Sequence, residues 1–159
     1  MTIRAVAFDI GGVLERVAPA GSWIGPWRSR LELSEAQFRS AVAGVDPLRR
    51  IETGGLSETQ YRQRYADALG LSDQQVSEFM AGLWDWYCGS LDIQLARYAA
   101  SLRPRYKTAI LSNSADGARR EEEARYRFAD SFDPIIYSHE VGLAKPDPRI
   151  SCCCARYWA

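Results

Sequence analysis

Arg4-Ala-Val-Ala-Phe-Asp-Ile-Gly-Gly-Val-Leu14 is the stretch that decides the fold. Residues 4 to 8 form a short, largely apolar run that breaks at Asp9 and passes into Gly11-Gly12, the pattern of a buried strand entering a tight turn. Asp9 therefore stands at the carboxyl end of a strand, where ligands bind in open α/β sheets. A single Asp after a strand is more often an ordinary turn residue, so its weight depends on what the rest of the chain puts beside it.

Two further strands are expected downstream. Lys107 to Leu111 form a second apolar run that ends in Ser112-Asn113, and Ile135-Ile136-Tyr137 form a third that leads to Gly142 and Lys145-Pro146. Leu95, Tyr98, Ala99 and Leu102 give one helical face before the second strand. Asp116 is expected to cap a helix over Ala118 to Tyr126, whose Arg and Glu residues read as a solvated face. Strands alternating with helices at this spacing imply a parallel sheet with right-handed crossovers.

The interval from 15 to 88 reads as helical. Ser34-Glu-Ala-Gln37, Ser57-Glu-Thr-Gln60 and Ser72-Asp-Gln-Gln75 each match a capping box and should each open a helix. Val76, Phe79, Met80, Leu83, Trp84 and Tyr87 then follow a helical stripe, while Tyr61, Tyr65, Ala68 and Leu69 share a face that Gly70 ends. These aromatic stripes are read as helix packing rather than as a pocket lining. The expected organisation is an α/β core of residues 1–14 and 89–150, a helical insertion of residues 15–88, and an atypical tail of residues 151–159.

Twenty basic residues balance twenty acidic ones among 159, so no net field draws the protein to nucleic acid or to an anionic membrane. The opening residues are too short and too polar a run for a signal peptide or a span, and a cytoplasmic location is the expectation. Cys88 stands alone and Cys152-Cys153-Cys154 are consecutive, which is neither a disulfide framework nor a zinc spacing. His139 reads as a polar turn residue, and Arg28 and Arg30 as either anion contacts or surface.

Asp9, Ser112 with Asn113, and Lys145 each follow a different predicted strand, so the sheet brings them to one rim. A carboxylate there can act as nucleophile, a hydroxyl and an amide can bind anionic oxygens, and an ammonium can neutralise developing charge. Phe8-Asp-Ile-Gly-Gly-Val-Leu14 resembles the first motif of the haloacid dehalogenase superfamily, Leu111-Ser-Asn113 its second, and Gly142-Leu-Ala-Lys-Pro-Asp-Pro-Arg-Ile150 its third. The resemblance spans residues 4 to 150. It implies a Rossmann-like parallel sheet with an inserted helical cap, and hydrolysis of a small-molecule phosphate ester through an aspartyl-phosphate. By the same resemblance Asp9 and Lys145 are catalytic, and Ser112, Asn113 and Gly12 bind phosphate. Mg²⁺ would be held by the Asp9 carboxylate, the Gly11 carbonyl and a further acidic residue.

Two departures qualify those implications. Gly11 stands where phosphatases of the superfamily carry a second Asp as general acid, a role worth roughly 100- to 10,000-fold in rate. The superfamily's dehalogenases also lack it, which keeps carbon-halogen hydrolysis as an alternative. The second departure is Ser151 to Ala159, where the resemblance calls for a helix and then a strand carrying acidic metal ligands, and no acid follows Asp147. The expectation is an incomplete core, Mg²⁺ binding that is weak or absent, and impaired activity; a degenerate relative acting as a binding module is the non-enzymatic alternative. GC-rich codons for this tail, shifted by one base, would spell Leu-Leu-Leu-Arg-Ala-Leu-Leu-Gly, so a frameshift is expected. The strand at residues 4–8 would then lie at the sheet edge, a template for homo-oligomerisation. The nucleotide sequence around codon 151 checks the frameshift, because uninterrupted codons of another choice remove it.

Overall fold

The structure is a computed structural model that describes residues 3–19 and 21–157. Its first strand, β1 (Ala5–Phe8), runs into the turn of Asp9 to Leu14. That turn is closed from inside by apolar side chains: Ile10 and Leu14 are fully buried, and the amides of Val13 and Glu15 both donate to the Ile10 carbonyl. Gly12 takes a positive φ of 75°, which an L side chain adopts only with strain, and donates its amide to the Glu15 carbonyl. The chain then forms β2 (Glu15–Arg16) and enters the helices.

Helices α1 (Gly21–Arg30), α2 (Glu35–Val45), α3 (Glu58–Leu69) and α4 (Asp73–Cys88) fill the interval expected to be helical. All three capping boxes are formed: Ser34, Ser57 and Ser72 each accept from the backbone three residues on, and the Gln at that position reaches back. Gly70 ends α3 in the left-handed conformation, as its position after Leu69 requires. The helices close over their own apolar cluster of Trp27, Phe38, Val45, Tyr65, Leu69, Val76, Phe79 and Met80. Phe79 is its centre, fully buried, with the rings of Trp23, Tyr65 and Trp27 at 4.7, 4.8 and 5.3 Å.

β3 (Ser90–Leu91) returns antiparallel to β2, with Glu15 opposite Leu91, so a two-stranded link joins the helices to the sheet. After α5 (Ile93–Ser101) come β4 (Lys107–Ser112), α6 (Ala118–Tyr126), β5 (Ile135–Tyr137), the short α7 (Ser138–Val141) and α8 (Pro148–Arg156). The main sheet is parallel in the order β1-β4-β5, with Phe8 opposite Ile110 and Ser112 opposite Tyr137. The parallel sheet is as expected, and β1 pairs on one side only among the described residues. One apolar cluster on the sheet joins Phe8, Ile10, Leu14, Ile110, Phe132 and Tyr137 to Trp84, at the far end of α4. No helix among the described residues is long and apolar enough to cross a membrane.

Three expectations are corrected. The tail does continue as a helix: Asp147 accepts from the Arg149 amide, Pro148 starts α8, and Ile150 and Cys153 pack on Ala109 and Ile136 of the sheet. Asp116 does not cap α6, whose N-cap is Gly117 without a side-chain bond; its carboxylate instead accepts from the Glu58 amide at 2.8 Å, at the start of α3. The charged run of α6 is not simply solvated, since Glu122 is fully buried and Arg119, Arg120 and Arg125 pair with Glu140, Glu58 and Asp85. The helical layer is thereby tied to α6 by the Arg120–Glu58 and Arg125–Asp85 ion pairs as well as by packing.

Removing the Phe79 ring leaves a cavity at the centre of the helical cluster. Phe79→Ala is expected to lower unfolding stability by about 3–5 kcal/mol, measured by urea denaturation.

Candidate active site

The three strand-end groups meet. Asp9 leaves β1 with Oδ1 accepting from the Ile10 amide at 2.9 Å, which turns Oδ2 toward Lys145 Nζ at 2.7 Å. Lys145 also donates to the Leu111 carbonyl at 3.0 Å, so the ammonium sits over the end of β4. Both side chains remain partly open to solvent, Asp9 at 41% and Lys145 at 31%.

Asn113 holds the lysine in place. Its side-chain amide donates to the Lys145 carbonyl at 3.0 Å, and its oxygen accepts from the Lys145 amide at 2.7 Å. This reciprocal pair fixes the backbone of a loop that has no regular structure of its own. Ser112 lies at the last position of β4, buried, with its hydroxyl donating to the Asn113 carbonyl at 3.3 Å. Asp9, Ser112, Asn113 and Lys145 therefore share one rim. Gly11 and Gly12 lie exposed on the turn, and a Cβ at either would meet nothing, so the approach to Asp9 is open on that side.

The helical layer closes the other side. A cavity of about 170 Å³ lies between the layers, lined by Tyr61, Leu83 and Tyr87 from the helices and by Asn113 and Ser114 after β4. Tyr61 shares a hydroxyl hydrogen bond with Tyr65 at 2.9 Å, and burial holds its phenol above the ordinary value. The aromatic stripes thus split: Phe79, Tyr65 and Trp84 serve packing as expected, while Tyr61 and Tyr87 face the cavity. Gly54 is part of the same closure. Its φ is +71°, and a Cβ there would lie 2.4 Å from the His139 carbonyl oxygen, so only glycine lets the segment after α2 touch α7. Arg28 pairs with Glu35, and Arg30 pairs with Glu78 and lies over the Trp27 ring at 4.7 Å.

Sequence patterns missed the buried acids beneath this rim. Glu15 is buried with neither carboxylate oxygen hydrogen-bonded among the described residues, and Glu122 accepts from the Tyr137 hydroxyl. Burial first, and then the charge of Glu122, push Glu15 up to about 9; burial raises Glu122 to about 7. The one available signal was the spacing of Glu122, one turn after the buried Ala118 on α6.

The donor set does not suit a divalent metal. Asp9 Oδ2 is committed to Lys145, the Gly11 carbonyl offers one oxygen, and no group of three His, Cys, Asp or Glu among the described residues can hold an ion. Mg²⁺ keeps several waters in its octahedron and is held by one or two carboxylates, whereas Asp9 is, among the described residues, the one carboxylate brought to this rim and is already paired to Lys145.

No family model and no curated protein matches the chain. Solved structures do. HAD family enzyme BT-2542 from Bacteroides thetaiotaomicron superposes with a TM-score of 0.79 at 22% identity, covering 98% of this chain and 78% of that one. The fold is that of the haloacid-dehalogenase family. L-2-haloacid dehalogenase from Xanthobacter autotrophicus superposes at 0.60 and 22% identity over 98% of this chain and 64% of its own. At such identities the haloacid-dehalogenase likeness concerns backbone arrangement, and the chemistry rests on the side chains described above.

The buried acid gives the protein a pH signature. Above 4.5 an unfolded chain has lost the Glu15 proton while the folded chain keeps it up to about 9, so this contribution is complete below 4.5 and fades as pH rises through that window. Stability is expected to fall with pH by at most about 1.4 kcal/mol per unit for one such proton, and Glu15→Gln should flatten the decline in denaturation curves taken between pH 5 and 8.

Proposed function

We propose that the chain is a hydrolase of phosphate monoesters of small metabolites, with Asp9 as the nucleophile. The observation that carries this reading is the Asp9–Lys145 pair at 2.7 Å, held at the strand ends beside Ser112 and Asn113. In the reaction Asp9 attacks phosphorus, the ester oxygen leaves, and water then hydrolyses the aspartyl-phosphate. Lys145 supplies the positive charge that lets two anions approach, and the Ser112 hydroxyl can turn from the Asn113 carbonyl to donate to a phosphoryl oxygen. Asn113 contributes by fixing the Lys145 loop. Gly12 shapes the turn rather than offering its amide, which donates to Glu15. The reading is supported by the fold's likeness to BT-2542, whose structure is known in complex with magnesium and inorganic phosphate, at a TM-score of 0.76. Because one ammonium does the neutralising, slow turnover is expected.

The poor metal donor set favours a second reading. The same aspartate can displace halide from carbon, a step that needs neither a metal nor a proton donor for the leaving group. The Xanthobacter autotrophicus enzyme is known with chloropropionic acid covalently bound, at a TM-score of 0.58 to this chain.

Kinetics with an aryl phosphate, with and without Mg²⁺, and halide release from 2-chloropropionate separate the two. Under the leading reading only the phosphate is hydrolysed, and Asp9→Asn lowers kcat at least about 1,000-fold, a nucleophile's share of the barrier. Lys145→Met is expected to lower it by about 100- to 1,000-fold, the usual effect of removing one stabilising donor. Equal rates for wild type and Asp9→Asn would mean the reaction does not use this site.

A further inference from the structure

Two spaces meet at one hydrogen bond. Ser114 lines the cavity between the layers beside Asn113, and its Oγ lies 2.8 Å from His139 Nδ1. His139 in turn lines a separate cleft of about 450 Å³, which is bounded by Asp116, Arg119, Arg120, Glu123 and Glu140. Both partners are firmly held. The Ser114 amide donates to Ser138 Oγ at 2.9 Å, Ser138 Oγ donates to the Ser114 carbonyl at 3.3 Å, and the Gly54 backbone abuts the His139 carbonyl. A buried serine of the cavity wall is thereby wired to the sole histidine of the chain, at the wall of a charged cleft.

From this geometry we infer that Ser114 and His139 form a proton relay that protonates the leaving oxygen of the substrate. The inference rests on the phosphate-ester reading above. As Asp9 forms its bond to phosphorus, the bond between phosphorus and the ester oxygen breaks and its electron pair stays on that oxygen. The oxygen takes the Ser114 Oγ proton, and Ser114 takes the Nδ1 proton of the His139 imidazolium. The ring is left neutral with its remaining proton on Nε2, and water in the cleft protonates it again.

Other groups around the cavity are poorly placed for this task. Glu52 is ion-paired to Arg49 and the Tyr61 hydroxyl is shared with Tyr65, whereas the Ser114 hydroxyl meets the imidazole directly. His139 faces the Tyr137 ring at 5.8 Å and the charges of Glu140, Asp116 and Arg119. Burial outweighs the two acids and sets its titration below the ordinary 6.5, which makes the imidazolium a ready donor.

An ester whose leaving group is a stable phenolate needs no proton, whereas an alkoxide does. The test compares p-nitrophenyl phosphate with glycerol 2-phosphate on wild type, His139→Gln and Ser114→Ala. Either variant is expected to lose about 100-fold in kcat on the alkyl ester and several-fold at most on the aryl ester, the usual worth of one proton transfer. The wild-type alkyl rate should fall as pH rises through the His139 titration, followed by NMR of the single imidazole, and the variants should lose that limb. Equal losses on both esters, or no loss on either, would overturn the relay and reduce the pair to a structural tie. If wild type hydrolyses neither ester, the phosphate-ester reading fails and the relay fails with it. If it hydrolyses both through Asp9 and the alkyl rate ignores the imidazole titration, the relay alone fails.

Discussion

A carboxylate and an ammonium 2.7 Å apart at the ends of parallel strands are the constraint on which the rest depends. Each half needs separate support. Asp9 is aimed by the Ile10 amide, and Ile10 is in turn anchored by full burial in the sheet cluster. Lys145 comes from an irregular loop, and the two-point grip of Asn113 gives that loop a backbone position it could not hold alone. Packing energy is thus converted into placement of two opposite charges, each of which keeps part of its side chain in water. That partial exposure keeps desolvation from cancelling their attraction.

The strands, their parallel order and the meeting of Asp9, Ser112, Asn113 and Lys145 were legible because each rests on a local pattern repeated in context. A buried run broken by a polar residue marks a strand end, and right-handed crossovers leave one rim for all of them. Capping boxes were legible for the same reason, since the Ser and Gln that make each one lie three residues apart. What was hidden is what depends on partners distant in sequence. Asp116 looked like a local cap and serves a helix 58 residues away, Glu122 looked solvated and is fully buried, and the His139–Ser114 bond joins α7 to the segment after β4, whose sequences say nothing of each other.

The tail illustrates a different limit. Cysteine has no strong helix preference, so the run after Ile150 carried little signal, yet Pro148 and Asp147 start a helix and Ile150 finds a place on the sheet. Tertiary contact decided what local propensity left open.

Glu58 carries one consequence further. Its amide is held by Asp116, its carboxylate receives the Arg120 guanidinium at 2.9 Å and the Trp84 indole at 2.8 Å, and it opens a helix of the upper layer. Any swing of that layer to admit a molecule would pull the first amide of the helix off the Asp116 carboxylate and part a salt bridge in one movement. Both losses are electrostatic and dissolved ions weaken them, so ionic strength acts as a throttle on how readily the enclosure parts.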